Sequence, residues 1–330
     1  MASSFKTFTS NDVANTRTLL HESIPLTGAL ASGTYGTWPS ENNIKNFAHG
    51  QFQAVFDYSY LSSSANHIYD LTFGFSPKSA ISSATPVTQQ EKKINMYNTM
   101  AQVLMGYDHT GSLQEFDVDG DLLAGGQKIR EAFFINFSRL LYKDEVKKGS
   151  FSISLGKDQG WADSCNELLV ITDAGAENDF RVNSPAGEYG ILSASSGGEI
   201  TGSVNGKCGL IFYQAGVAVL TASVFNSGSD GRIRLNSLMT IDGEALMFGL
   251  MTGSEISGCC DSFRHRLYDM SFNNTTELNS TIYFCRAHHN EFNYSSNPTY
   301  LTGSRIRVKN NTLDEPVSYI TTVGLYSADS

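Results

Sequence analysis

The residues best placed to do chemistry are the carboxylates of DVDGD, Asp117 to Asp121. They supply the first, third and fifth positions of a possible calcium loop. The sixth position, however, is Leu122 where such loops carry Gly, and the twelfth is Lys128 where they carry a bidentate Glu. The expectation is therefore an acidic surface turn. Gly120 and Gly125 have the spacing of a phosphate-cradling loop, but Gly126 stands at the Lys position and no Ser or Thr follows to hold magnesium. A second cluster, of soft ligands, comprises Cys259, Cys260 and His265 with Cys285, His288 and His289. Cys285-x-x-His288 has tolerable zinc spacing, which makes Cys260, His265, Cys285 and His288 the metal candidates. Adjacent Cys259 and Cys260 point differently, and Cys285 lies in a strand-like run. Buried thiols beside a polar loop are thus the expected state, with no metal and no cofactor. His21-Glu22 opens like a metalloprotease helix, but Pro25 occupies the place of the second histidine, and no G-x-S-x-G elbow occurs. The expectation is a protein that is not an enzyme. Paired carboxylates for glycoside hydrolysis are defined by a distance that sequence does not supply.

The elements that would position these residues are mostly strands. Tyr69, Leu71, Phe73 and Phe75 alternate with Asp70, Thr72 and Gly74, and the body of the fold is expected to begin near there. Thr88 and Glu91 form a capping-box pattern ahead of Ile94, Tyr97, Met100, Ala101 and Leu104 at helical spacing, ended by Gly106. Ala132 to Leu141 suits helix or strand, and strand is preferred. Phe151, Ile153 and Leu155 are expected to pair with it across the charged turn Lys143 to Lys148. Asn205-Gly206 signals a hairpin, and Ile211 to Tyr213 and Val217 to Val224 are apolar enough for buried central strands. Asp242 is placed to cap a short buried helix. Leu267 to Phe272 and Ile282 to Phe284 bracket the polar link Asn273 to Asn279 as in a long hairpin. The chain is thus read as mainly β, in antiparallel sandwich-like sheets, with one or two helices. Residues 1–45 form an extended N-terminal arm that packs on another chain, followed by β-rich domains at 46–160 and 161–330.

Composition bounds the function. The charged fraction, 17% of 330 residues, is below the usual quarter, which leaves a polar, sparsely charged surface suited to extensive contact. A net charge of −10 argues against nucleic acid as a partner. Five cysteines without scaffold spacing point to a reducing compartment, and no stretch approaches the roughly 18 apolar residues of a membrane span. Arg305, Arg307 and Lys309 alternate along one strand face, and Tyr319 and Tyr326 sit on the strand expected from Ser318 to Tyr326. Arg305, Arg307, Tyr319 and Tyr326 are the interface candidates.

Three blocks carry a resemblance: FINFSRLLYKDEVKKGSFSISLG (Phe134 to Gly156), YQAGVAVL (Tyr213 to Leu220) and the run from Asn279 to Ser327. Together they resemble virion structural proteins of large contractile-tailed phages, notably those of marine cyanobacteria. The resemblance implies a bacteriophage virion protein, made soluble in a host cytoplasm and assembled with copies of itself and other virion proteins. A tail or baseplate place is favoured over a neck, collar or capsid-decoration role. A glycan- or receptor-binding fibre protein is the alternative from another class. In such proteins a TVGLY strand is followed by further apolar strand, whereas this sequence stops at Ser330. The expectation is that the sequence is cut short or that a neighbour completes the strand.

Overall fold

Strand formation follows the apolar alternation, and the clearest case is His67–Phe75. The computed structural model describes residues 7–26, 41–82, 87–123, 126–156, 168–196, 206–225, 255–264, 266–286, 298–303, 305–306, 313 and 323–326. Its strands are β1 (Val13–Pro25), β2 (Ile44–Asn46), β3 (Gln53–Phe56), β4 (His67–Phe75), β5 (Phe116–Asp117), β6 (Lys128–Ile129), β7 (Glu131–Phe137), β8 (Glu145–Val146) and β9 (Ser152–Gly156). They continue with β10 (Leu168–Thr172), β11 (Arg181–Ser184), β12 (Gly187–Ser196), β13 (Lys207–Phe212), β14 (Val217–Thr221), β15 (Leu267–Tyr283), β16 (Leu301–Thr302) and β17 (Arg305–Ile306). Among the described residues three α-helices accompany them: α1 (Thr88–Leu104), the single turn α2 (Arg139–Tyr142) and α3 (Ile256–Arg264). The protein is mainly β, as its sequence predicts.

Two compact units divide the chain. One is Leu19–Glu277; the other joins Met1–Thr18 to Leu278–Ser330. The main sheet runs β1-β15-β9-β10-β12-β13-β14-β7-β4-β3-β2, with β11 beside β12 and β8 beside β15. Its central pairs are antiparallel, for example Phe73↔Phe133 between β4 and β7 and Leu210↔Val219 between β13 and β14. The expected boundary near residue 160 falls inside the larger unit: β9 and β10, which flank it, pair from Leu168↔Gly156 to Thr172↔Ser152. One continuous sheet supplies the core. Its curvature brings Phe137 of β7 to 4.9 Å from Phe272 of β15, with β9, β10, β12, β13 and β14 between those strands in the order.

Both faces of the middle strands are covered, which is why they read as nearly continuous apolar runs. On β7, Phe133, Ile135 and Phe137 join one buried cluster while Ala132 and Phe134 join another; Leu220 and Val219 of β14 divide in the same way. α3 covers the first face, with Phe263 5.1 Å from Phe133 and the Cys260 thiol donating to the Leu71 carbonyl at 3.4 Å. α1 covers part of the second with Tyr97, Ala101 and Leu104. Small residues admit it: Gly74 and Ala132 are register partners, and a side chain at Gly74 would meet the Lys93 carbonyl and the Tyr97 amide at 2.7 Å. α1 begins and ends where predicted, but its N-cap is Val87 with no side-chain cap, so Thr88 lies inside the helix and the Thr88–Glu91 box does not form. Gly106 closes the helix at φ +75°, its amide donating to Ala101 O.

Several expectations are corrected. The fold begins before Tyr69, since β1, β2 and β3 all belong to the sheet, and within residues 1–45 β1 is paired by β15 of its own chain. Ala132–Leu141 is strand only to Phe137, after which α2 turns the chain. β9 does not pair with β7: apolar on both faces, β7 takes the two covered neighbours β4 and β14, while β9 lies between β10 and β15. The long hairpin is one strand, β15. Its polar middle stays extended because the segment 141–150 bonds it directly, through Asn274 Nδ2 to Leu141 O (2.9 Å), Lys147 N to Asn273 O (2.7 Å) and Asn273 N to Ser150 Oγ (3.0 Å). Asn205 and the Asp242 helix lie outside the described residues.

Asp173 ties a further loop to this core. Buried beside β10, it accepts hydrogen bonds from the amides of Gly149 (2.8 Å) and Phe151 (2.9 Å) and from the Tyr213 hydroxyl (3.0 Å). Burial pushes its carboxyl up, and the three donors pull it back.

Candidate functional site

The acidic loop is held between β5 and β6, whose register sets Asp117 opposite Lys128. Asp117 is 0% exposed, and its Oδ2 accepts from Lys128 Nζ (2.8 Å) and Leu122 N (2.9 Å). Lys128 Nζ also donates to Leu123 O at 2.6 Å. The ammonium therefore stands between the first and seventh positions of the calcium-like pattern. Leu122, at the position calcium loops reserve for Gly, has φ +60°, and Gly120 has φ +70°. Asn183 Nδ2 donates to Gly120 O (3.1 Å) and is itself braced by the Tyr189 hydroxyl on its Oδ1 (2.7 Å). Oxygens of Asp117, Asp119 and Asp121 lie within 4.8 Å of one another, and the buried Asp117 Oδ1 has no hydrogen-bond donor. Burial raises the Asp117 carboxyl above its ordinary range against the pull of Lys128, while the Leu123 amide lowers Asp121. The pattern at Asp117, Asp119 and Asp121 was visible in the sequence. The unpaired oxygen, which depends on the fold, was not.

Among the described residues, the cysteines join no group of metal-ligating side chains, and the aspartates are the one group of three His, Cys, Asp or Glu side chains close enough to share an ion. Cys260 is buried with its thiol on Leu71 O; Cys259 is buried too, and its thiol is pushed up to about 11 by desolvation, with Lys93 acting in the opposite sense. His265 and His288 lie outside the described residues. Cys285 is corrected: it follows the end of β15 and is exposed, because the strand stops at Tyr283. Alkylation of the native protein followed by peptide mapping is expected to modify Cys285 rapidly and to spare Cys208, Cys259 and Cys260 until unfolding. Cys285→Ser is expected to change stability by less than about 0.5 kcal/mol, and a larger loss in urea denaturation would show that Cys285 is packed.

Within the smaller unit, β1 and β15 are held together by Phe284 N on Asp12 O (2.8 Å), Thr281 Oγ1 on Asn15 Oδ1 (2.9 Å) and Arg286 paired with Asp12 at 3.0 Å. Thr9 N–H holds the Asp12 carboxyl below its usual range. Phe8 leans on Tyr283, ring centroids 5.4 Å apart. Ile282 (47%), Tyr283 (45%) and Phe284 (51%) are half exposed at consecutive positions, so neither side of the chain there is fully covered. Tyr326 is 83% exposed, and Val323–Tyr326 is not in a strand, in contrast to the strand expected there. Arg305 lies in β17 opposite Thr302. Tyr319 and Arg307 lie outside the described residues. The interface reading of the sequence rested on tyrosine and arginine; the apolar triplet was missed because alternation at Ile282 to Phe284 suggested a half-buried strand.

No family model, no curated protein and no solved structure matches the chain. No helix among the described residues is long and apolar enough to cross a membrane.

Proposed function

We propose that the chain is a non-enzymatic structural component of a tailed-phage virion, in the tail or baseplate, that works by contact with copies of itself and with other virion proteins. The observation that supports this reading best is the uncovered apolar triplet Ile282, Tyr283 and Phe284, with Val323, Leu325 and Tyr326 also exposed in the same unit. Aromatic and aliphatic side chains in such a state contribute most when a partner removes them from water. The sparse charge of the chain lowers the desolvation cost of that contact.

The test is a cryo-EM reconstruction of purified particles together with the variant Ile282→Ser/Tyr283→Ser/Phe284→Ser. The chain is expected in the tail or baseplate density with these side chains covered, and the variant is expected to fold normally but to lose about 10-fold or more of its incorporation. Particles that lack the chain, or a variant incorporated at full yield, would sink the proposal.

A further inference from the structure

We propose that the Asp117–Asp121 loop binds a divalent cation, calcium, through Asp117 Oδ1 and the carboxylates of Asp119 and Asp121. This goes beyond the assembly role and does not depend on it. The first observation is the convergence of three carboxylates within 4.8 Å. The second is independent of it: Asp117 is wholly buried, and its Oδ1 has no hydrogen-bond donor. A buried carboxylate oxygen is costly to leave without hydrogen or metal. Lys128 does not supply the missing partner, because its ammonium is committed to the other oxygen, Oδ2, and to Leu123 O.

Charge counting leads to the same ion. Three carboxylates and one ammonium leave a net −2, which one divalent cation neutralises. All the ligands are hard oxygens, which selects calcium or magnesium over zinc or copper. Calcium is favoured because it accepts irregular and incomplete oxygen shells filled out by water, whereas magnesium demands a near-ideal octahedron. With Lys128 where calcium loops place a bidentate Glu, and with the seventh-position carbonyl already taken by the lysine, affinity is expected in the weak class, about 10⁻⁴–10⁻³ M. The loop is otherwise shaped for the ion, with Leu122 already held in the left-handed conformation.

The experiment is thermal denaturation of the full chain titrated with calcium chloride at constant ionic strength, beside Asp119→Asn/Asp121→Asn. Asn keeps the Oδ1 that accepts Asp121 N at 3.5 Å or Leu123 N at 2.9 Å, so the loop's own bonds survive while two charges go. The wild type is expected to gain about 2–3 °C at ten times the dissociation constant, and the double variant none. Circular dichroism checks that the variant folds, and Asp119→Asn alone, expected to weaken binding about 10-fold, serves if it does not. An equal shift with magnesium or sodium, no shift in the wild type, or the same shift in a folded variant overturns the proposal. No shift in the wild type would mean that a proton shared with Asp117 satisfies its oxygen, and the same shift in the folded variant would mean that calcium binds elsewhere.

Discussion

Gly74→Ala is expected to destabilise the protein by about 3 kcal/mol or more, among the largest effects of any single methyl group in this chain. The added carbon would sit 2.7 Å from both the Lys93 carbonyl oxygen and the Tyr97 amide nitrogen. Both are backbone atoms of α1, so no side chain can swing away, and the whole helix must lift from β4. Lifting it would loosen Tyr97, whose hydroxyl donates to Ile129 O at 2.7 Å and whose ring meets Phe116 and Phe134. Urea denaturation measures the loss as a lower midpoint with an unchanged slope. A midpoint within experimental error of wild type would show that α1 does not rest on Gly74.

Asp173→Ala is expected to cost about 3–4 kcal/mol by a different route. It strands two buried donors at once, the Phe151 amide and the Tyr213 hydroxyl, at about 1–3 kcal/mol each, and takes the acceptor from the exposed Gly149 amide as well. Asp173→Asn is expected to recover little. Its Nδ2 would face the amide of Phe151 or that of Gly149, setting donor against donor at one of them, with the Tyr213 hydroxyl able to turn and accept only in the second case. Hydrogen exchange supplies a local readout: the Gly149 and Phe151 amides are expected to lose protection first. If Asp173→Asn matches wild type in both measurements, the carboxylate is not the organising acceptor described here.

Where the governing interactions are local, the sequence was informative. The alternation from Tyr69 to Phe75, the spacing of Tyr97, Ala101 and Leu104, and the apolar run at Val217 all express period and burial within one element. β15 escaped prediction because its Asn- and Thr-rich middle looks like a loop until Leu141, Lys147 and Ser150, more than a hundred positions away, supply its hydrogen bonds. The acidic loop is a mixed case. Leu122 and Lys128 break the calcium pattern as letters, yet the fold puts Leu122 in the conformation a glycine would adopt and turns Lys128 to one oxygen of Asp117 only. The exposed state of Cys285 depends on where β15 stops, which neighbouring residues do not specify.

The position of β15 also sets an order of events in time. Among the described residues β1 has β15 as its one strand partner, and His21 meets Thr275 across 254 positions of sequence. During synthesis at roughly 5–20 residues per second, β1 therefore waits about 13–50 s for its partner to be made. Throughout that interval its edge is unpaired, with Leu19 and Leu20 on it, and it is open to pairing with the completed β15 of another nascent chain. Neighbouring ribosomes on one message hold such chains at high local concentration, so translation speed and ribosome spacing become determinants of whether β1 ends in its own sheet or in a neighbour's.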